Sequence, residues 1–294
     1  MNLLSFGEII WDVYQENCTI GGAPLNLAAH VALQGGNAFL ASAVGKDALG
    51  RSALEQIRAL DVKTDYVSVS CDSPTGQCIV SLDENGVPSY KILENTAYDS
   101  ILPPSPLRHT FDAVSFGTLA LRGEQNRKAL ESILQNNSFD EVYTDLNIRA
   151  PFYSEESINL CLSKATIVKI SDEELPLVTK TIFGAMPDPI EAVKMIAERY
   201  SQIRLILVTK GKNGAFCYQC RTDRLYNWVA EPAVVVSTVG AGDSFGATFL
   251  TQYMKTKDII LSMKLAAKVS AFVVSHREAI PPSTKEFLKS IIHT

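Results

Sequence analysis

The stretch STVGAGDSFG, residues 237–246, sets two glycines and a carboxylate where an apolar run, AVVVS, gives way to a helical one, DSFGATFLTQYM. A helix start offers unpaired N–H groups and the positive end of the helix dipole. Glycines let the backbone come close to an anion with no side chain in between. Gly240, Ala241 and Gly242 stand at that junction. Asp243 is the odd member, because a carboxylate beside a bound phosphate repels it. It makes sense facing a hydroxyl that must lose its proton while the anion is held, which is the arrangement of phosphoryl transfer. Taken alone, the stretch reads equally as a tight strand-to-helix turn capped by Asp243. The P-loop spacing is absent, and GAGDSFG does not fit GxGxxG.

The other end of the chain carries a second set. Asp12 follows the strand-like LLSFGEII, and GGAPLNLAAH places Gly21 and Gly22 just before a helix with Asn26 in its first turn. In an open α/β sheet, ligands gather at the carboxyl ends of the strands. An Asp and an Asn there share hydrogen bonds to neighbouring hydroxyls and reject analogues lacking them. Each residue alone also reads as an ordinary turn or helix-start residue.

These residues need elements to position them. Apolar runs (NAFLASAV, DAVSFG, EVYTDLN, TIVKIS, LILVTK) alternate with helical stretches, and Asp47 stands as a cap before ALGRSALEQIRAL. The pattern predicts a mostly parallel, doubly wound sheet covered on both faces, a three-layer α/β/α architecture. AVVVS reads as one more strand. Two segments, 12–20 and 65–93, alternate with period two instead, with turn signals at Asp72-Ser73-Pro74 and Glu84-Asn85-Gly86. They predict a small antiparallel sheet placed as a lid. The expected division is a core of residues 1–11, 22–64 and 99–294 and a lid of residues 12–21 and 65–98.

The chain has 294 residues, 46% of them hydrophobic, and a net charge of -5. With no basic stripe, a nucleic-acid partner is not expected. No apolar run reaches the roughly 20 residues that span a bilayer. MNLLSFGEII lacks a cationic n-region and reads as a first strand rather than a signal peptide, so the expected location is cytoplasmic. The six cysteines make no disulfide framework, and Cys217 and Cys220 in FCYQCRTD read as reduced structural residues of a hairpin. A Rossmann dehydrogenase needs GxGxxG in the first βα turn, where this chain has WDVYQENCTIGGAP.

Over essentially its whole length the sequence resembles the ribokinase-like (PfkB) sugar kinases, and among them the fructokinases. GGAPLNLAAHVALQGG is similar to the family's N-terminal sugar-site signature, and STVGAGDSFGATFL to its C-terminal DTxGAGD signature. DLNIR (145–149), KISDEEL (169–175) and VTKGKNGAF (208–216) follow in the family's order. The resemblance implies transfer of the ATP γ-phosphoryl group to a sugar's primary hydroxyl, most like fructose. It implies Asp243 as base, the N–H groups of Gly240, Ala241 and Gly242 as anion hole, and Asp12, Gly21, Gly22 and Asn26 at the sugar. Ser171, Thr209, Gly211 and Gly214 fall near the nucleotide, and Glu174 falls where the family holds Mg²⁺ through water. Arg149 reads as a stabiliser of transferred charge or as a surface ion-pair residue. Lys169 and Lys210 stand at strand ends, where lysines are usually solvated. Ser237 replaces the family's Asp of a K⁺ loop and Glu278 a glycine in SHREA, so the resemblance carries no K⁺ requirement over. Ser171 stands where the family commonly has Asn. A homodimer through the lid is expected. Ribose, 2-keto-3-deoxygluconate and nucleosides stay open as acceptors, and a non-catalytic sugar or nucleotide sensor on the same fold is the rival reading.

Overall fold

β1 (Asn2–Phe6) is buried along nearly its whole length, as a strand in the interior of a covered sheet must be. It pairs in parallel with β4 (Asn37–Gly45) on one side and β8 (Ala113–Phe116) on the other. β5 (Lys63–Ser70) lies beyond β4. Beyond β8 follow β9 (Glu141–Asp145), β10 (Ile167–Ser171) and β11 (Leu205–Thr209), all parallel. β12 (Ala215–Gln219) and β13 (Arg224–Trp228) close that edge antiparallel. The order of this nine-stranded sheet reverses at β1, which makes a crevice at the carboxyl ends of β1 and β8. The computed structural model describes residues 1–14, 18–82, 88–102 and 107–292.

Successive strand residues point to opposite faces, so each face has its own core. Leu4 and Phe6 pack with residues of α3 (Glu124–Asn136), α4 (Glu155–Lys164), α5 (Leu175–Phe183) and α6 (Pro189–Arg199). Leu3 and Leu40 pack with α1 (Ala23–Leu33), α2 (Ala48–Ala59), α7 (Ala241–Thr256) and α8 (Ile259–Val274). α9 (Thr284–Ile292) adds Leu288 against Val269 and Val273 of α8. The three-layer architecture expected from the alternating pattern is the one observed.

The small sheet has the order β3-β2-β6-β7, with β2 (Ile10–Val13), β3 (Cys18–Gly21), β6 (Gly76–Leu82) and β7 (Pro88–Ile92). Its outer pairs are antiparallel and its central pair, β2 with β6, is parallel. Its extent differs from the sequence expectation in two places. Residues 65–70 run in the large sheet as β5, and Ile10 and Trp11 open the small sheet rather than closing the core. β5 is an edge strand with one half-exposed face, and such a strand alternates with period two in either sheet. The turn at 72–74 therefore links two sheets instead of closing a hairpin. The turn signal at 84–86 lies outside the described residues.

Two further expectations are corrected. AVVVS forms no strand: Val234 is 81% exposed, and Val236 and Ser237 donate their N–H groups to Val274 O at the end of α8. β13 already occupies that sheet edge, and β-propensity expresses nothing without a neighbouring strand to pack on. LILVTK is followed not by a helix but by the short 3-10 turn Gly211–Asn213 and the antiparallel β12.

Asp47 joins the two sheets. One carboxylate oxygen caps α2 at Gly50 N (2.7 Å) and accepts from Thr75 Oγ1 (2.7 Å), and the other accepts from Thr75 N (2.8 Å). Burial works against its charge, but the hydrogen bonds from Thr75 and Gly50 outweigh it and hold its pKa low. Asp47→Ala loses a cap and unpairs Thr75, so we expect a loss of about 2 kcal/mol in urea unfolding at neutral pH. A depressed pKa gives stability that is present above the unfolded-state value and lost as pH falls through the folded one. The gap between the two proteins should therefore close in acid. An unchanged urea midpoint at neutral pH overturns this.

Candidate active site

Gly240 is the N-cap of α7 with φ 78°, and a Cβ there would lie 2.6 Å from Ala279 Cβ. Glycine is thus required twice over, by conformation and by space. Ala241 and Gly242 open α7, and Asp243 follows in its first turn. At the other terminus Gly22 caps α1 with φ 116°, and a Cβ there would meet Glu8 O at 2.5 Å. This brings Asn26 to Asp243 across 217 residues of sequence: Asn26 Nδ2 donates to Asp243 Oδ2 at 2.7 Å. The second amide atom, Asn26 Oδ1, is buried with no partner among the described residues.

Burial raises the pKa of Asp243, offset in part by Asn26, Lys169 and Arg149. A carboxylate made more basic than an ordinary one suits proton abstraction. Lys169 departs from expectation. It is not solvated: Lys169 Nζ binds Asp145 Oδ2 at 2.6 Å, with the two side chains 7% and 9% exposed. β10 is an interior strand whose carboxyl end runs under α7, and a Cβ on Gly242 would lie 3.1 Å from the ammonium. A full positive charge therefore stands directly behind the backbone of the helix start. Burial opposes that charge and Asp145 overrides it, so Lys169 stays protonated. Burial pushes Asp145 up to about 6, with Lys169 pulling it back, and the pair is ionised at neutral pH. Lys210 instead lies 5.8 Å from the Phe216 ring centroid.

Asp12 lies on β2 opposite Thr19 and Cys78, half-buried, and its pKa is raised by burial against a hydrogen bond from the Cys78 thiol. Gly21 lies against it: a Cβ there would be in ordinary van der Waals contact with Asp12 Oδ2 at 3.5 Å. Arg149 is exposed and forms no ion pair among the described residues, and its charge reaches Glu8, Asp12 and Asp243. Two acids beside Asp243 are not singled out by the sequence motifs: Glu8 and Asp145. Glu8 is 5% exposed, and burial raises its pKa to about 7. The available signal was a single acid inside the apolar SFGEIIW. Glu8, Asp145, Asn147 and Asp243 line a cavity of about 20 Å³.

A larger cleft of about 480 Å³ opens on the other side of the helix start. Thr209, Gly211 and Gly214 line one wall, Ala241 and Gly242 the other, with Val235 at the rim. Ser171 does not line it. Its hydroxyl binds Glu174 Oε2 at 2.8 Å, the same oxygen accepts Ser171 N, and Oε1 accepts Ile148 N at 2.5 Å. Among the described residues no cluster of three or more His, Cys, Asp or Glu could hold a metal ion, and no helix is long and apolar enough to cross a membrane.

Residues 2–286 match the pattern of the pfkB family carbohydrate kinases. The fructokinase of Salmonella typhimurium is 31% identical over 242 residues, spanning 78% of this chain and 75% of that protein. A fructokinase from Vibrio cholerae O395, solved in its fructose, ADP and calcium ion bound form, aligns with TM-score 0.83 at 21% identity, over 99% of this chain and 98% of that one. A putative ribokinase of E. coli aligns with TM-score 0.84 at 19% identity, over 99% of each chain. The fold is ribokinase-like.

Proposed function

The chain belongs to the pfkB family of carbohydrate kinases, phosphotransferases with a sugar hydroxyl as acceptor, and from that premise we propose that it moves the γ-phosphoryl group of ATP to the primary hydroxyl of fructose, giving fructose 6-phosphate. The observation that carries the reading is the Asn26–Asp243 hydrogen bond, which joins the hydroxyl-binding motif to the anion-binding one.

In this reading Asp12, Gly22 and Asn26 hold the sugar, with Gly21 lying against Asp12; Asn26 Oδ1, which has no partner among the described residues, supplies an acceptor. Asp243 takes the proton of the attacking hydroxyl. The N–H groups of Gly240, Ala241 and Gly242 receive the charge developing on the transferred group. Helix-start donors fixed before the reaction stabilise such charge without reorganising. Lys169 behind Gly242 and Arg149 over the cleft add to that field. The cleft of about 480 Å³ walled by Thr209, Gly211 and Gly214 takes the nucleotide.

The residues present fit a magnesium ion that comes with the nucleotide. A carboxylate accepts about four hydrogen bonds, and Glu174 uses three within the protein. One lone pair remains for a water of an ion that keeps most of its hydration shell. Glu174 would hold it from outside that shell, with Ser171 fixing the carboxylate. The ion's chemistry is to neutralise phosphate charge.

The test is ADP formation from ATP and Mg²⁺ with fructose, ribose, 2-keto-3-deoxygluconate, glucose, adenosine or no acceptor, each with and without K⁺. Turnover on fructose, indifferent to K⁺, is expected. Turnover confined to another acceptor moves the specificity within the family. Silence throughout, together with sugar or nucleotide binding, replaces the kinase by a sensor.

A further inference from the structure

Among the described residues, Glu8 is a buried carboxyl at the cleft to which the mechanism above gives no task. It follows Gly7, whose φ of 152° and missing Cβ let the chain pass against Pro24. That path presses Glu8 onto the start of α1: its carbonyl packs on Gly22, and its carboxyl accepts the N–H of Ala23. From there it faces Asp243 across the cavity of about 20 Å³, room for one water. Asp145 from β9 lines the same cavity, and its charge is already matched by Lys169. The other ionisable groups acting on Glu8 are Arg149, from the segment after β9, and Tyr98, from the segment after β7. Ser5, Ser115, Thr118 and Asn147 add neutral polar groups.

We propose that Glu8 is a positioning residue acting through Asp243: its charge, across a water-sized cavity, sets the proton affinity of the base, so that turnover follows the ionisation of Glu8. The inference rests on the kinase reading. Two carboxyls in one buried cavity raise each other's hold on a proton, and their titrations belong to the pair. Burial, reinforced by Asp243, pushes Glu8 up to about 7. Asn26 and Lys169 favour the charged form of Asp243 against its burial. When Glu8 loses its proton near neutrality, the added negative charge makes Asp243 the stronger base. The hydroxyl proton still goes to Asp243, and Glu8 takes none in the step. Turnover should therefore rise as pH passes through about 7.

The test compares the pH dependence of kcat/KM in the wild type and Glu8→Gln. The acid limb is expected to fall by about one pH unit and the plateau about tenfold. The KM for sugar should stay within about threefold, because Glu8 acts through the base and not on the sugar. Glu8→Asp, which keeps the charge, should keep the limb near its wild-type position. A limb that coincides in the wild type and Glu8→Gln overturns the proposal, whatever happens to the rate, because a purely structural role lowers activity at every pH alike. Carbon NMR of carboxyl-labelled glutamate reads the coupling without turnover. The glutamate titrating near neutrality should titrate about one unit lower in Asp243→Asn. An unmoved midpoint overturns the proposal even if Glu8→Gln does not fold. If that midpoint moves but no acceptor is phosphorylated, the pairing stands and the kinase reading falls.

Discussion

Asp243→Asn should lower kcat by roughly 10²–10⁴ while leaving sugar and nucleotide binding within a few-fold. The replacement keeps the side chain's volume and an oxygen that can still accept from Asn26 Nδ2, so the hydroxyl-binding geometry survives. What it removes is the ability to accept the hydroxyl's proton. Effects confined to kcat mark an interaction used in the transition state and not in binding. The variant should also fold at least as well as the wild type. Burial raises the pKa of Asp243, so its contribution to stability is present below the unfolded-state value and lost as pH rises through the folded one. Burial penalises the charged form of this carboxyl, a stability cost that Asn does not carry. Steady-state kinetics beside a thermal melt at pH 7 separate the two effects. Near-normal turnover sinks the assignment of the base, and loss of activity that tracks loss of folding reduces Asp243 to a helix cap.

The residues of this site differ in how far the sequence reveals them. Gly240, Gly22, Asn26 and Asp243 stand in short motifs whose backbone demands are local, so strand-to-helix punctuation identifies them. The large sheet is legible for a related reason: buried strands carry continuous apolar runs and their helices alternate with them. The fate of Lys169 is not local. Whether a strand-end lysine meets water or an acid depends on which helix crosses above it, and α7 arrives some 70 residues later in the chain. Glu8 is hidden likewise, because its partners at Ala23, Asp243 and Asp145 converge only at the reversal of strand order. AVVVS misleads in the opposite sense. Its composition is that of a strand, but the edge it would join is already occupied by β13.

Lys169→Met should be the most destabilising of these substitutions and nearly inactive. The buried Asp145 would lose its ion pair at 2.6 Å, and Asp145 Oδ1 already has no partner among the described residues. Breaking a buried pair from one side costs about 3–5 kcal/mol, because an uncompensated charge is left behind. Removing both charges at once often costs little by the same reasoning. Lys169→Met with Asp145→Asn should therefore recover most of the urea midpoint lost by the single variant. Activity should not recover with it. The ammonium behind Gly242 stabilises charge at the helix start and also lowers the pKa of Asp243. Without it the base holds its proton to higher pH, so the acid limb of kcat/KM should move upward in both variants. Recovery of stability without recovery of rate identifies Lys169 as a charge that serves the reaction. Recovery of both overturns that role and leaves the pair as a structural tie between β9 and β10.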